Sequence, residues 1–405
     1  MKILQTSDWH LGKRLHQVDL TEDHKRFFDW FLEKIKKEAI DVVLVSGDVF
    51  DLANPSSEAR KLYYEVLLEL SRRHCTVILT GGNHDSPSVL NAPKEILKAL
   101  NIHVIGGLPE ELKDLVIPLT DRNGEQRAVV AAIPYLRDTD LRKASPGSSY
   151  EDRVEEVQLG ITKIFREAAE ICQANYPDLP ALAMGHLFAR GVTTSESERE
   201  IQVGNLAQYD AASFDPHFQY IALGHIHKPQ KVSDKVFYSG SPVPLSFSEI
   251  SDKKRMVVYE VTRHAVEARN IEVPVFRKLL KISGSLEEIR KALSRLEEPE
   301  TDLPVLIEVE MQEPAEDPQK ISELEELIST YDSAYARIVK HRVHFEDTVT
   351  GAHELYDANT QIEDLEPGDV LEKKMERTEL DEEQRKLLRE AFYEILESVY
   401  QSESS

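Results

Sequence analysis

A chain of 405 residues with 41% hydrophobic content is long enough for two or three domains at roughly 150 residues each, and for a sizeable core. Its 49 basic against 73 acidic residues leave a formal charge of −24, which repels a polyanion and excludes a protein that coats nucleic acid through general basicity. The acidity is uneven: residues 346–405 hold 18 acidic and 6 basic side chains, a net of −12, so half the excess lies in the last sixty positions. No apolar run approaches the ~20 residues of a membrane span. Asp8 and His10 interrupt the start before a signal-peptide core can form, and Cys75 and Cys172 make no CxxC pair. A soluble cytoplasmic protein without disulfides is expected.

Short apolar runs at 3–5, 42–45 and 77–79 predict buried strands. Helical spacing separates them, at 20–38 (Phe27, Phe28, Phe31, Leu32, Ile35) and 56–72 (Leu62, Val66, Leu67, Leu70). Strands alternating with helices imply a layered α/β domain with a largely parallel sheet. The rhythm continues through a strand at 129–133, a helix at 152–174 and strands at 182–184 and 220–223. It then turns to hairpins at 236–238, 256–260 and 266–273. A first domain is expected over 1–273. Residues 274–345 read β-α-β-α-β, a smaller α+β domain whose helices carry Leu286, Ile289 and Leu293, then Ile321, Leu324 and Leu327. A polar linker at 346–365 follows, then a helix–turn–helix at 366–402. Asp381 and Gln384 have the spacing of a capping box.

Five strings stand out, each just past a predicted strand: Asp8-Trp9-His10, Gly47-Asp48, Gly82-Asn83-His84-Asp85, Gly185-His186 and Gly224-His225-Ile226-His227. Loops beyond the carboxyl ends of strands in α/β sheets converge on one crevice. Two carboxylates, one amide oxygen and four imidazoles suit two divalent metals with mixed nitrogen and oxygen ligands, and the absence of thiolates argues against structural zinc. The glycines are expected to allow tight turns and close approach of backbone to phosphate. Singly, each string has an innocent reading: a β-turn for Gly-Asn-His-Asp, a satisfied core histidine for Gly-His-x-His. In this order and together they point to a metal centre.

The ordered set DxH, GD, GNHD, GH and GHxH resembles the calcineurin-like metallophosphoesterases. Within them the strings TSDWHLG at 6–12, GDVFD at 47–51, GNHDS at 82–86, YIALGHIH at 220–227 and GSPVPLSF at 240–247 are similar to the SbcD family of bacterial nuclease subunits. The resemblance implies a layered α/β metallophosphoesterase core, a smaller α+β cap and a C-terminal helical pair. It places one metal on Asp8, His10, Asp48 and His227 and a second on Asp48, Asn83, His186 and His225, with Asp48 bridging and manganese preferred. It makes His84 the residue that contacts the phosphate and protonates the leaving oxygen, with Asp85 as the partner that orients its imidazole. Asp51 stands where archaeal and eukaryotic relatives carry a histidine, so no role of that histidine transfers.

The implied activity is a manganese-dependent DNA nuclease: 3′-to-5′ exonuclease on duplex ends and single-strand endonuclease, processing hairpins and ends in replication, recombination and repair. Its implied partner is an SbcC-like ABC-type ATPase whose coiled coil the tail helices grip. A homodimer within a heterotetramer is implied too, with helices near 56–72 and 88–100 as candidate contacts, and a cytoplasmic location at the nucleoid through DNA. From the residues alone, Lys13, Arg14, Arg190, Lys228 and Lys231 flank the five strings and are candidates for contacting DNA, as is the cluster Lys253, Lys254 and Arg255; scattered solvated charge is the alternative. Leu371, Leu388, Phe392, Ile395 and Leu396 lie on the apolar stripes of the tail and suit docking on a protein partner, or packing back on the first domain. A phosphatase or small-molecule phosphodiesterase would use the same metal motifs. A scaffold with a dead site would lack a ligand, and none of the seven is missing.

Overall fold

The computed structural model describes residues 1–141, 150–198, 208–262, 265–301, 303–315 and 317–345, together with positions 371, 375, 385, 386, 388, 389 and 392. Its main feature is a pair of six-stranded sheets. The first runs in the order Val266–Glu272, Arg255–Val261, Lys2–Thr6, Val42–Ser46, Thr76–Thr80, Ile102–Ile105. The last four are parallel, and the first two form an antiparallel hairpin that joins Lys2–Thr6 antiparallel. The second runs Gln230–Lys231, Val236–Tyr238, Phe218–Gly224, Ala181–His186, Gln126–Ala132, Val116–Thr120, with four parallel strands between antiparallel edges.

The continuous apolar runs explain the layering. Every residue of Val42–Ser46 and Thr76–Thr80 is buried, and alternate side chains enter different layers. Val43, Val45, Val77 and Leu79 face the helices Thr21–Glu38 and Ser57–Arg72, whereas Val42, Leu44 and Ile78 meet Val130, Leu182 and Met184 of the second sheet. In the second sheet Val129 and Ala131 face outward, toward the helix Tyr150–Asn175. The result is four layers, helix–sheet–sheet–helix, where the sequence pattern predicts one largely parallel sheet. Buried polar groups tie the sheets together: Gln5 Nε2 donates to the carbonyls of Leu223 (3.1 Å) and Phe237 (3.2 Å), and its Oε1 accepts from Tyr259. The three expected hairpin strands divide between sheets. Val236–Tyr238 pairs parallel with Phe218–Gly224, while Arg255–Val261 and Val266–Glu272 cross to the first sheet.

Strands Arg277–Gly284, Leu303–Glu313 and Ala336–Phe345 form a three-stranded sheet in that order, with helices Leu286–Ser294 and Pro318–Thr330 in the links. Contacts of Arg277 with Pro304 and of Ser283 with Glu310 keep a constant offset, so this pair runs parallel. The chain divides into two compact units. The larger holds Met1–Ile282, Lys291–Val309 and Ile328–Arg342, and the smaller holds Ser283–Arg290, Glu310–Leu327 and the described residues from 343 onward. This differs from a boundary at 273. The reason is that Leu279 and Leu306 share the core of Phe27 and Phe31, and that Arg277 makes a buried bidentate pair with Asp23 at 2.8 and 2.9 Å. In the smaller unit Glu313 accepts from the Leu286 N–H and from Lys320 Nζ.

Both cysteines are free and buried. Among the described residues no helix is long and apolar enough to cross a membrane. The linker at 346–365 lies outside the described residues, as do Ile395 and Leu396. Of the described tail positions, Leu371 and Met375 are buried, Phe392 is partly buried and Leu388 is exposed.

Candidate metal centre

All five strings follow strands of the sandwich at their carboxyl ends. The first sheet delivers Asp8 and His10 after Lys2–Thr6, Asp48 after Val42–Ser46, and Asn83, His84 and Asp85 after Thr76–Thr80. The second delivers His186 at the end of Ala181–His186, and His225 and His227 after Phe218–Gly224. The chain turns sharply at these points. Eight non-glycine residues among those described have positive φ, and four of them are Asp8 (53°), His10 (45°), Asp48 (49°) and His225 (100°). Left-handed backbone is costly for such residues and concentrates at functional sites.

Two of the glycines serve the crossing of the two sheets. A β carbon on Gly224 would stand 1.8 Å from the Ser46 carbonyl oxygen, and one on Gly47 would stand 2.2 Å from His186 Nδ1. That close approach lets the Ser46 carbonyl face His186 Nδ1 at 3.0 Å and lets Ser46 Oγ donate to the Ala222 carbonyl at 3.0 Å.

Asp8, His10, Asp48, His186, His225 and His227 are all buried, and Asn83 is partly buried. Three clusters bring ligand atoms within 4.8 Å of one another: Asp8, His10 and His227; Asp48, His186 and His225; and His10, Asp48 and His84. Asp48 Oδ2 lies 3.5 Å from His10 Nε2 and 3.4 Å from His186 Nε2, between the first two clusters. Asn83 Oδ1 is 2.9 Å from His186 Nε2. The second oxygen of Asp48 accepts the His84 N–H at 2.9 Å, and Asp8 Oδ1 accepts the His225 N–H at 2.8 Å. Both carboxylates are thereby fixed by main chain from a neighbouring string.

The donor set fits divalent cations. His10 Nε2 and His227 Nε2 face each other at 3.1 Å, where one ring can donate to the other in the metal-free chain, and where two lone pairs would converge if both rings presented them. A cation beside the pair would accept from both. Burial pushes the His10 imidazole down to about 3, and burial with the neighbouring His186 holds His225 well below the usual range, so both rings are neutral at pH 7, the form that can offer a lone pair to a cation. Burial opposes charge on His186, but Asp48 and Asp8 outweigh it and hold that imidazole up at about 9. Burial likewise opposes charge on Asp48, yet His186, His10 and His84 keep its carboxylate well below the ordinary value. Burial raises Asp8 to about 6. In chemical terms the carboxylates attract positive charge, and in the metal-free chain protons on imidazole supply it.

His84 and Asp85 are adjacent in sequence but do different work. Asp85 accepts from the N–H groups of Gly82 (2.9 Å), Val49 (3.0 Å) and Phe50 (3.0 Å), locking two loops together. Burial, with Asp48 nearby, pushes it up to about 7. Three main-chain N–H groups thus hold the carboxylate that the resemblance made the partner of the His84 ring. His84 Nδ1 faces the main-chain oxygen of Asp51 at 2.8 Å, and the ring stands edge-on to His10 with centroids 4.6 Å apart. The Asp51 side chain pairs with Lys13 Nζ at 3.1 Å. It also lies 3.3 Å from His10 Nδ1, close enough for attraction but out of line for a hydrogen bond.

Arg14, Arg190 and Lys231 are exposed, Lys228 is partly exposed, and Lys231 pairs with Asp234 at 2.7 Å. Lys254 does not belong with the DNA candidates. It is buried and bonded to Glu249, out of reach of a nucleic acid. Sequence reasoning also missed Ser197, Glu198 and Glu249, which surround His227. Only the adjoining GSPVPLSF string pointed to that segment.

Residues 1–229 match the calcineurin-like phosphoesterase family. The curated SbcD subunit of the nuclease SbcCD from Escherichia coli (strain K12) is 33% identical over 319 residues, covering 77% of this chain and 78% of the relative. The chain belongs to the SbcD family of calcineurin-like phosphoesterases. The corresponding SbcCD nuclease subunit of Rhodobacter capsulatus is 36% identical over 313 residues, covering 74% of this SbcD-family chain and 77% of the relative. Residues 275–379 match a domain described as the type 5 capsule protein repressor C-terminal domain. Among solved structures, TT1561 of Thermus thermophilus is 13% identical with a TM-score of 0.38, over 67% of this chain and 99% of that one.

Proposed function

We propose that the chain is a two-metal phosphodiesterase that cuts DNA, the nuclease subunit of a complex with an ABC-type ATPase. One observation carries the chemistry: a single carboxylate oxygen, Asp48 Oδ2, sits about equally far from His10 Nε2 and His186 Nε2, where one bridging ligand serves two cations. Asp8, His10, Asp48 and His227 would hold one and Asp48, Asn83, His186 and His225 the other; mixed imidazole and oxygen ligands suit divalent transition metals, and the family resemblance favours manganese among them. When bound, such a pair stabilises charge on the phosphoryl oxygens and acidifies water.

The remaining steps fall to the protein. The Asp51 carbonyl can only accept, so His84 Nδ1 carries a proton, and Nε2 is the atom from which a second proton passes to the leaving oxygen. Asp85 holds the His84 loop against the Asp48 loop, fixing His84 relative to Asp48. Similarity to the SbcD subunits of SbcCD nucleases supports DNA over a small ester as substrate, and supports an SbcC-like partner; a homodimer within the complex is carried over from the family resemblance alone. On this reading Lys13, Arg14, Arg190, Lys228 and Lys231 contact DNA phosphates, 274–345 governs DNA access, and 366–402 docks the ATPase through Leu371, Leu388, Phe392, Ile395 and Leu396, with 346–365 as the linker.

The test is cleavage of an end-labelled hairpin beside hydrolysis of a chromogenic phosphodiester, with and without manganese. Manganese-dependent hairpin cleavage is expected, abolished by chelation. Ester hydrolysis with intact DNA would assign the chain to phosphatases or small-molecule phosphodiesterases instead.

A further inference from the structure

A buried chain of hydrogen bonds ends on His227. Lys254 Nζ donates to the His227 carbonyl (3.0 Å), Ser241 Oγ (2.9 Å) and Glu249 Oε2 (2.5 Å), which uses all three N–H groups of an ammonium. Facing that ammonium, the fully buried Glu249 is a carboxylate and can only accept. Its Oε1 takes the hydroxyl proton of Ser197 at 2.5 Å. The neighbouring Ser195 hydroxyl has an acceptor of its own in Glu198 Oε2 at 2.7 Å. Ser197 Oγ lies 2.6 Å from His227 Nδ1, and its only proton is already given to Glu249. It can therefore only accept from the ring, and the ring proton must sit on Nδ1. In the neutral ring, the form that can bind a cation, the lone pair is then on Nε2, the atom that faces His10 Nε2. Glu198 Oε1 holds the same residue from its main chain, accepting the His227 N–H at 2.9 Å.

We propose that Glu249 and Ser197 are positioning residues that lock His227 as the Nδ1–H tautomer and so present Nε2 to the cation on the Asp8–His10 side. The inference rests on the metal centre proposed above. It explains why a lysine and a glutamate are buried together here: the pair fixes an acceptor-only oxygen at the end of the relay. Partners that orient a metal-bound imidazole are commonly worth 10–100-fold in metal affinity.

The test uses the full chain in two measurements. In metal-free protein carrying 15N-histidine, at a pH high enough for a neutral ring, long-range proton–nitrogen spectra are expected to show His227, assigned by its loss in His227→Ala, as Nδ1–H. In Glu249→Gln the amide oxygen turns to Lys254 and the amide N–H to Ser197. The serine proton is then free for His227, and the ring changes to Nε2–H. Manganese titration should show one of two sites weakened about 10–100-fold in Glu249→Gln. Ser197→Ala, on a partly exposed loop, should fold normally and weaken the same site, and Ser197→Thr should restore it. An Nε2–H tautomer in the wild type, or wild-type affinity at both sites in Ser197→Ala and Glu249→Gln, overturns the inference alone. A wild-type chain that binds no manganese overturns the metal reading and this inference with it.

Discussion

Gly224→Ala tests whether the meeting of the two sheets sets the geometry of the centre. The new β carbon would lie 1.8 Å from the Ser46 carbonyl oxygen and 2.9 Å from His186 Nδ1. Ordinary contact is about 3.5 Å, so the strand ends must part by about 1.7 Å. Ser46 is poorly placed to yield, because its hydroxyl is bonded to Ala222 and its carbonyl to His186. His225 follows immediately and is tied to Asp8. Overpacking of this kind costs about 1–3 kcal/mol, and displacing a reacting group by about 1 Å costs about 100-fold in rate. Gly124→Ala is the control. Its φ of +78° carries the conformational cost of about 1 kcal/mol, but nothing lies within 4 Å of the added carbon. Manganese content, phosphodiester turnover and thermal unfolding should be measured on both. Gly224→Ala should lose turnover and metal together while Gly124→Ala keeps both; wild-type turnover and metal content in Gly224→Ala would refute the reasoning.

His84→Ala should retain two manganese ions and lose about 10²–10⁴ in turnover, whereas Asp48→Ala should lose metal as well, as metal analysis beside kinetics will show. Manganese affinity should rise with pH and level off near 9. His186 holds a proton up to about 9, and the cation must displace it; proton release is read by calorimetry in two buffers. That pKa is raised above the ordinary value of 6.5, so in metal-free protein the same proton stabilises the fold fully below pH 6.5, and the contribution is lost as pH climbs through about 9. Neutralising Lys13 and Arg14 together should weaken DNA binding and lower the slope of log affinity against log salt by about 1–2. Deleting 367–402 should spare manganese-dependent cleavage of single strands and abolish copurification with the ATPase.

Local structure and the convergence of the candidate ligands were legible for physical reasons. Val42–Ser46 and Thr76–Thr80 are apolar at almost every position, which is how a strand covered on both faces reads. Asp8, Asp48, Asn83, His186 and His225 were visible because their chemistry falls directly after such runs. The split into two sheets was not legible. It depends on pairings such as Lys2–Thr6 with Arg255–Val261, about 250 residues apart, that local periodicity does not encode. Lys254 was misread for the opposite reason: lysine is nearly always at the surface, and only the three-dimensional arrangement shows an acceptor waiting for each of its N–H groups. Asp85 looked like a partner of the histidine beside it, because neighbours in sequence suggest neighbours in function. The backbone turns its carboxylate toward the Val49 and Phe50 amides.

Asp48 stands on one sheet and His186 and His225 on the other, so an ion gripped by all three acts as a rivet through the sandwich. Its binding energy adds to the resistance of the whole larger unit to unfolding, by about 2.7 kcal/mol when free metal is at a hundred times its dissociation constant. Scarcity of the ion would then do more than silence hydrolysis. It would loosen the scaffold, leaving an idle enzyme open to proteolysis until its supply returns.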